Sequence, residues 1–292
     1  SENPLGFDAA TFKSIAEMGW TGVVIPEAYG GSEFGYRSIG VVLEELGRNV
    51  VAAPLIGSAV GAASALILGG SEAQKTYWLP RLQQFKAIGA FGLTEPEVGS
   101  GAAGGLTTTA KRAGDKWILN GQKKWIGNAT FADVIIIWAK DVDDNQVKGF
   151  LVTKDTPGFS VEKIKGKMAL RIVQNGLITL TNCEVAEENR LQGAGSFKDT
   201  ARVLQMTRAG VAWMAVGCAR GAYENALDYT RKRKQFGKPI ASYQLIQNHL
   251  VEMLSNLTAM QSLVFRLSEL QDQGLLKDEH ASLAKVFCSL RT

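Results

Sequence analysis

Cysteine and histidine are scarce in this sequence, and their scarcity narrows the chemistry. The three cysteines, Cys183, Cys218 and Cys288, have no metal-like spacing. That argues against a disulfide framework or a zinc site and for a reducing compartment. The two histidines, His249 and His280, lie in polar helical stretches and read as solvated surface residues. A general base in such a chain is expected to be a carboxylate. No apolar run approaches the roughly 20 residues needed to span a bilayer. The opening SENPLGFDAATF has no charged segment leading into an apolar core, so no secretion signal is expected. The net charge of +4 is spread along the chain, and only Arg231-Lys232-Arg233-Lys234 forms a basic cluster. The expectation is a soluble intracellular protein without nucleic-acid binding or membrane insertion.

What the chain does have is apolar residues, 46% of 292, and 32 glycines. It can bury a sizeable core and build two or three structural units. Residues 8–20 read as an amphipathic helix on Phe12, Ile15, Ala16 and Met18-Gly19-Trp20, with Asp8 as N-cap. Further helices are expected over 38–49, over the small-residue stretch 55–69, and from Ser71 to near Pro80. From Ala90 the texture becomes β-rich. Asn120-Gly121 signals a hairpin between two Trp-containing runs. VIIIWAKD, KGFLVTKD and GLITLTNCEV follow at short spacing, which suggests a small antiparallel barrel or sandwich. After NRLQGAGSF the pattern is helical again, over 198–234, PIASYQ to QDQG, and DEHASLAKVFCSLRT. So many glycines and alanines in the first of these predict close helix-helix or helix-ligand contact. The last apolar face, Leu283, Val286, Phe287 and Leu290, is expected to lie uncovered, since two and a half long helices do not close a bundle. The fold class is α+β, with a helical domain over 1–89, a central antiparallel barrel-like β-domain over 90–188 and an incomplete helical bundle over 189–292.

The stretch FGLTEPEVGSGAAGGLTTTA, residues 91–110, gives up side chains at Gly99, Gly101, Gly104 and Gly105. Bare amides in such a turn can cradle a phosphate or a flat ring edge, but a flexible interdomain loop would look the same. The spacing is neither GxGxxG nor GxxxxGK[ST], so neither a Rossmann nor a P-loop site is supported. From these residues alone, both readings stay open.

LTEPEVGS, then GQKKWIGNATFAD, then TRKRKQFGKPIASYQLIQNHL resemble three motifs of the acyl-CoA dehydrogenase and acyl-CoA oxidase flavoproteins, in the family's order. IPEAYGG and LEELGR extend the resemblance over essentially the whole chain. KGKMALRIVQNG and RAGVAWMAVG are similar to the glutaryl-CoA dehydrogenase and short-chain acyl-CoA oxidase branch. The resemblance implies FAD wedged between a β-domain and a helical domain. It also implies α,β-dehydrogenation of an acyl-CoA: a glutamate removes the α-proton while a hydride leaves the β-carbon for flavin N5. Phe91, Leu93 and Thr94 match positions at the flavin's pyrimidine edge, Gly99 and Ser100 match the pyrophosphate contact, and Trp125, Ile126 and Gly127 match the segment flanking the ring. Arg233, Gln235, Phe236 and Gln244 match the motif that reaches the FAD of a neighbouring subunit, in a homodimer or homotetramer. Ser100 and Arg208 match substrate-side positions. Electrons are expected to pass to electron-transfer flavoprotein. The compartment is expected to be bacterial cytoplasm, mitochondrion or peroxisome.

Three departures bear on function. Many dehydrogenases of the family carry threonine where this chain has Gly127, whereas some oxidases carry glycine, so electron transfer to O2 is an alternative. The family's catalytic glutamate has no counterpart: one branch places it at the position of Thr207, and the others place it in a loop beyond Thr292. The sequence therefore reads as truncated at both ends, with its base outside it and little turnover of its own. A catalytically silent partner subunit is a further alternative, against which the intact 91–100 motif counts. Gly101 replaces a usual acidic residue, which bears on fine contacts to CoA.

Overall fold

Asp8 begins the first helix, α1 (Ala9–Glu17), where its carboxylate accepts the Thr11 amide at 2.7 Å. The computed structural model describes residues 6–99 and 101–292. It forms two units: Ser1–Glu33 with Ala52–Thr207, and Phe34–Val51 with Arg208–Thr292.

In the first unit, the small-residue stretch becomes a π-helix (Ile56–Ala62) running on into α3 (Ala63–Gly69). Helix α4 (Glu72–Gln83) starts with a Ser71–Gln74 capping box. It runs through Pro80 rather than ending there. The seven-stranded sheet comprises β1 (Gly89–Gly92), β2 (Thr109–Ala113), β3 (Lys116–Gly127), β4 (Val134–Asp141), β5 (Val147–Thr153), β6 (Phe159–Lys163) and β7 (Asn175–Ala186). A single turn, α5 (Ala102–Gly105), precedes β2. The pairings β2–β3, β3–β7, β6–β7 and β4–β5 are antiparallel. Strand β4 runs parallel to β1 and to β2, so the curled sheet is not purely antiparallel.

The continuous apolar run of β4 reflects burial on both faces. Val134, Ile136 and Trp138 face a core made with the small-residue helices, through Ala62, Ala65 and Leu66. Ile135, Ile137 and Ala139 face a second core with Trp117, Leu119, Ile178 and Leu180.

The expected hairpin at Asn120-Gly121 is absent. These residues lie inside β3, and the β2–β3 turn is Gly114-Asp115 instead. Asn120 seals a bulge in β7: its Oδ1 accepts the Asn182 amide at 2.8 Å. At Gly121 a Cβ would stand 2.6 Å from Thr108 Cα. The dipeptide therefore serves close packing, not a turn.

The second unit holds α2 (Gly35–Arg48), α7 (Gln244–Asp272), α8 (Asp278–Arg291) and the later part of α6 (Phe197–Lys232). Helix α2 meets α6 with almost no side chain between them: a Cβ on Gly217 would lie 2.0 Å from the Glu44 carbonyl oxygen. Across this crossing Arg48 binds Glu224, and Arg220 binds Glu44 and Glu45; Arg48–Glu45 and Arg220–Glu224 pair within each helix. On α8, Leu283, Val286 and Leu290 are exposed, as the sequence pattern predicts, while Phe287 is half-buried rather than uncovered. Among the described residues, no helix is long and apolar enough to cross a membrane.

Candidate functional site

Strand β1 is fixed by its neighbours before it reaches the motif. Ser58 Oγ, on the π-helix, accepts the Gly89 amide at 3.0 Å. Asn128 Nδ2 donates to the carbonyls of Gly89 and Pro54 at 3.1 and 3.0 Å. Phe91 is half-buried and Leu93 buried, while Thr94 is partly open. The Thr94 hydroxyl has no hydrogen-bond partner among the described residues. The chain then turns at Glu95–Gly99, where Gly99 takes φ +58° and a Cβ on it would meet nothing within 4 Å. That glycine is demanded by backbone conformation, and the space beside it is open. Ser100 lies outside the described residues.

Strand β3 brings the second motif alongside. The Lys124 amide donates to the Thr94 carbonyl at 2.8 Å. Through Trp117, Leu119 and Lys123 the strand buries alternate residues, and then a bulge between Lys123 and Ile126 shifts the register. Without the shift Trp125 would point inward. The bulge instead turns it out at φ +65°, 51% exposed, while Ile126 takes the buried place. Asn175 Nδ2 holds the Trp125 carbonyl at 2.9 Å, and Lys167 in turn binds Asn175. A bulky residue in the left-handed region marks a constrained, often functional position. At Gly127 a Cβ would lie 3.6 Å from Val173 Cγ1, an ordinary contact. Protein packing therefore leaves room for a side chain there.

Beneath the turn lies an ion pair that sequence reasoning missed. Lys123 Nζ donates to Glu95 Oε1 at 2.7 Å and to the Leu93 carbonyl at 3.2 Å. Glu95 also accepts the Thr107 amide and hydroxyl, both at 2.7 Å, and the Thr108 amide at 3.0 Å. Burial pushes the Glu95 carboxyl up, but the Lys123 charge and these donors outweigh it and hold it at about 2. Burial pushes Lys123 down to about 8 against the opposing pull of Glu95. The available signal was a lysine at an inward position of an alternating strand.

The second unit carries the other predicted residues. Lys234–Gln235 and Lys238–Pro239 form a two-stranded hairpin, β8 and β9, with Phe236-Gly237 at its tip. Phe236 has φ +47° and is 92% exposed. Tyr243 supports the tip, donating its hydroxyl to the Gln235 carbonyl at 3.0 Å. Arg233, Gln235 and Gln244 are exposed. Arg208 binds Asp278 at 2.6 Å. Thr207, the last residue of the first unit, donates its hydroxyl to the Leu204 carbonyl at 3.1 Å.

Comparison with known proteins gives the family. Family models described as the acyl-CoA dehydrogenase N-terminal, middle and C-terminal domains match residues 2–86, 90–183 and 196–291. A probable acyl-CoA dehydrogenase of Bacillus subtilis is 36% identical, over 97% of this chain and 76% of that protein. The chain belongs to the acyl-CoA dehydrogenase family. A glutaryl-CoA dehydrogenase from Mycobacterium smegmatis, solved in complex with FADH2, superposes with TM-score 0.92 at 33% identity, covering 98% of this chain and 73% of that one. A prolyl acyl carrier protein oxidase superposes with TM-score 0.90 at 31% identity, covering 98% and 77%.

FAD fits the residues present. The face offers an exposed indole, an unpartnered hydroxyl at Thr94, and open space beside the Gly99 backbone. Those are an apolar flank, a polar ring-edge donor and room for a close-approaching phosphate.

Proposed function

We propose that this chain binds FAD against Phe91–Gly99 and Trp125–Gly127 and serves the α,β-dehydrogenation of an acyl-CoA thioester to the trans-2-enoyl-CoA. The observation that carries this reading is the bulge that turns Trp125 outward next to the segment bearing the unpartnered Thr94 hydroxyl. When bound, FAD supplies the acceptor for the hydride leaving the β-carbon. The chain's own residues bind and orient. Phe91, Leu93 and Thr94 hold the ring edge through backbone amides and the Thr94 hydroxyl, Trp125 and Ile126 flank the ring, and Gly99 and Ser100 give the pyrophosphate access to the backbone. Arg233, Gln235, Phe236 and Gln244 reach FAD on a neighbouring copy in a homodimer or homotetramer, with the Arg233 guanidinium suited to pyrophosphate oxygens. Ser100 and Arg208 lie on the substrate side. The α-proton base is assigned to none of the 292 residues, because Thr207 carries no basic group. Electron-transfer flavoprotein is the proposed electron acceptor, and a reducing compartment such as bacterial cytoplasm the proposed location.

A second reading, oxidation by O2, is favoured by the space left at Gly127. One experiment addresses both readings: anaerobic addition of acyl-CoA thioesters to the FAD-loaded protein, followed by air. Bleaching of the visible flavin band supports the proposal, and rapid return of the band on admitting air selects the oxidase. A band that acyl-CoA perturbs without bleaching fits a chain that lacks its base, whereas a band neither bleached nor perturbed by acyl-CoA thioesters of any chain length would overturn both.

A further inference from the structure

The function just proposed makes no use of the buried Lys123–Glu95 pair, although its side chains are only 0% and 1% exposed. Buried ion pairs are poor stabilisers, because removing two charges from water offsets most of their attraction. Apolar or neutral replacements of similar volume are often tolerated. A reason other than stability is therefore needed, and the contacts supply one. Lys123 binds the Leu93 carbonyl as well as Glu95. Glu95 is anchored in turn to Thr107 and Thr108, and the Lys124 amide holds the Thr94 carbonyl. The Leu93 carbonyl is thus held by a charge-assisted bond, the Thr94 carbonyl by a backbone amide, and Glu95 through its carboxylate.

We propose that Lys123 and Glu95 are positioning residues for the flavin ring edge. The pair locks Leu93 and Thr94 in the conformation that presents the Thr94 hydroxyl and neighbouring amides outward. The inference rests on the reading of residues 91–94 as ring-edge contacts. It is tested by titrating the apoprotein with FAD and recording the visible circular dichroism of the bound flavin beside the melting temperature. Lys123→Met with Glu95→Gln removes both charges at similar volume. Glu95→Asp withdraws the carboxylate by one methylene, so that it cannot reach both Lys123 and Thr107–Thr108. Gln74→Leu is the control for stability alone: Gln74 is buried and donates to the Glu188 and Arg190 carbonyls at 2.7 and 2.8 Å, with no contact to the motif.

The double variant is expected to melt within a few degrees of wild type while binding FAD roughly tenfold more weakly, the worth of one charge-assisted hydrogen bond, with an altered flavin dichroism. Glu95→Asp leaves the buried charges less well paired, so it is expected to melt lower while weakening FAD binding and altering the dichroism in the same way, and its dichroism decides the matter alone if the double variant fails to fold. Gln74→Leu is expected to lower the melting temperature and leave FAD affinity and dichroism unchanged. Variants with wild-type FAD affinity and dichroism would overturn this inference alone. So would a Gln74→Leu protein that loses FAD affinity equally. Wild-type apoprotein that takes up no FAD would overturn both this inference and the proposed function.

Discussion

Trp125 occupies the left-handed region at φ +65° within a strand, where an L-residue costs roughly 1–2 kcal/mol. Because its side chain is half in solvent, Trp125→Gly relieves that strain and sacrifices little packing. The stability measured by urea unfolding is predicted to stay within about 1 kcal/mol of wild type, while FAD binding weakens. A large loss of stability would make Trp125 a packing residue instead. At Gly127 a Cβ makes only an ordinary contact, so Gly127→Thr is predicted to fold and to slow reoxidation of the flavin-loaded, reduced protein by air. An unchanged rate in stopped-flow measurements would remove Gly127 from the account of O2 access. Glu95 gives the same face a pH signature. Its folded pKa, about 2, lies below its ordinary 4.5, so its contribution is fully present above about 4.5 and is lost as pH falls toward about 2. The urea midpoint is expected to drop across that window, and Glu95→Gln to flatten the drop. An identical acid limb in the variant would assign the loss to other carboxylates.

At the level of elements, the crossing of α2 and α6 depends on absent side chains. Gly217→Ala gains roughly 1 kcal/mol of helix propensity but drives a methyl into the Glu44 carbonyl, 2.0 Å away. A net destabilisation of about 1–3 kcal/mol is predicted, and a stabilised variant in urea would contradict the packing described. The many small residues of α6 announced such a contact in the sequence, although periodicity could not name α2 as the partner. Asp8 as a cap, the small-residue helix over 55–69, the long α6 and α7 and the exposed face of α8 were likewise legible, because each rests on local pattern. Asn120-Gly121 misled because a turn dipeptide and a bulge seal use the same residues, and only the neighbouring strand decides between them. The parallel pairings of β4 and the Lys123–Glu95 pair are non-local, so no local pattern could reveal the pairing of either. The motif residues of the candidate site were legible only through resemblance, since glycine composition alone fitted a flexible loop equally well.

For the molecule as a whole, the proposed cofactor residues are divided between two units, and the second set sits on an exposed hairpin tip. Phe236 touches little of its own chain, so Phe236→Ala is predicted to leave the melting temperature of the apoprotein unchanged. FAD retention should fall and become more dependent on protein concentration, as sharing between copies requires. FAD affinity independent of both concentration and Phe236 would argue that each chain holds its cofactor alone. The central claim is that this chain is a flavoprotein through its Phe91–Gly127 face. Its most direct test is reconstitution of the purified protein with FAD, gel filtration, and the visible spectrum of the protein peak. The account predicts a flavin band that elutes with the protein and quenches tryptophan fluorescence through Trp125. A protein peak without flavin at saturating FAD would contradict it.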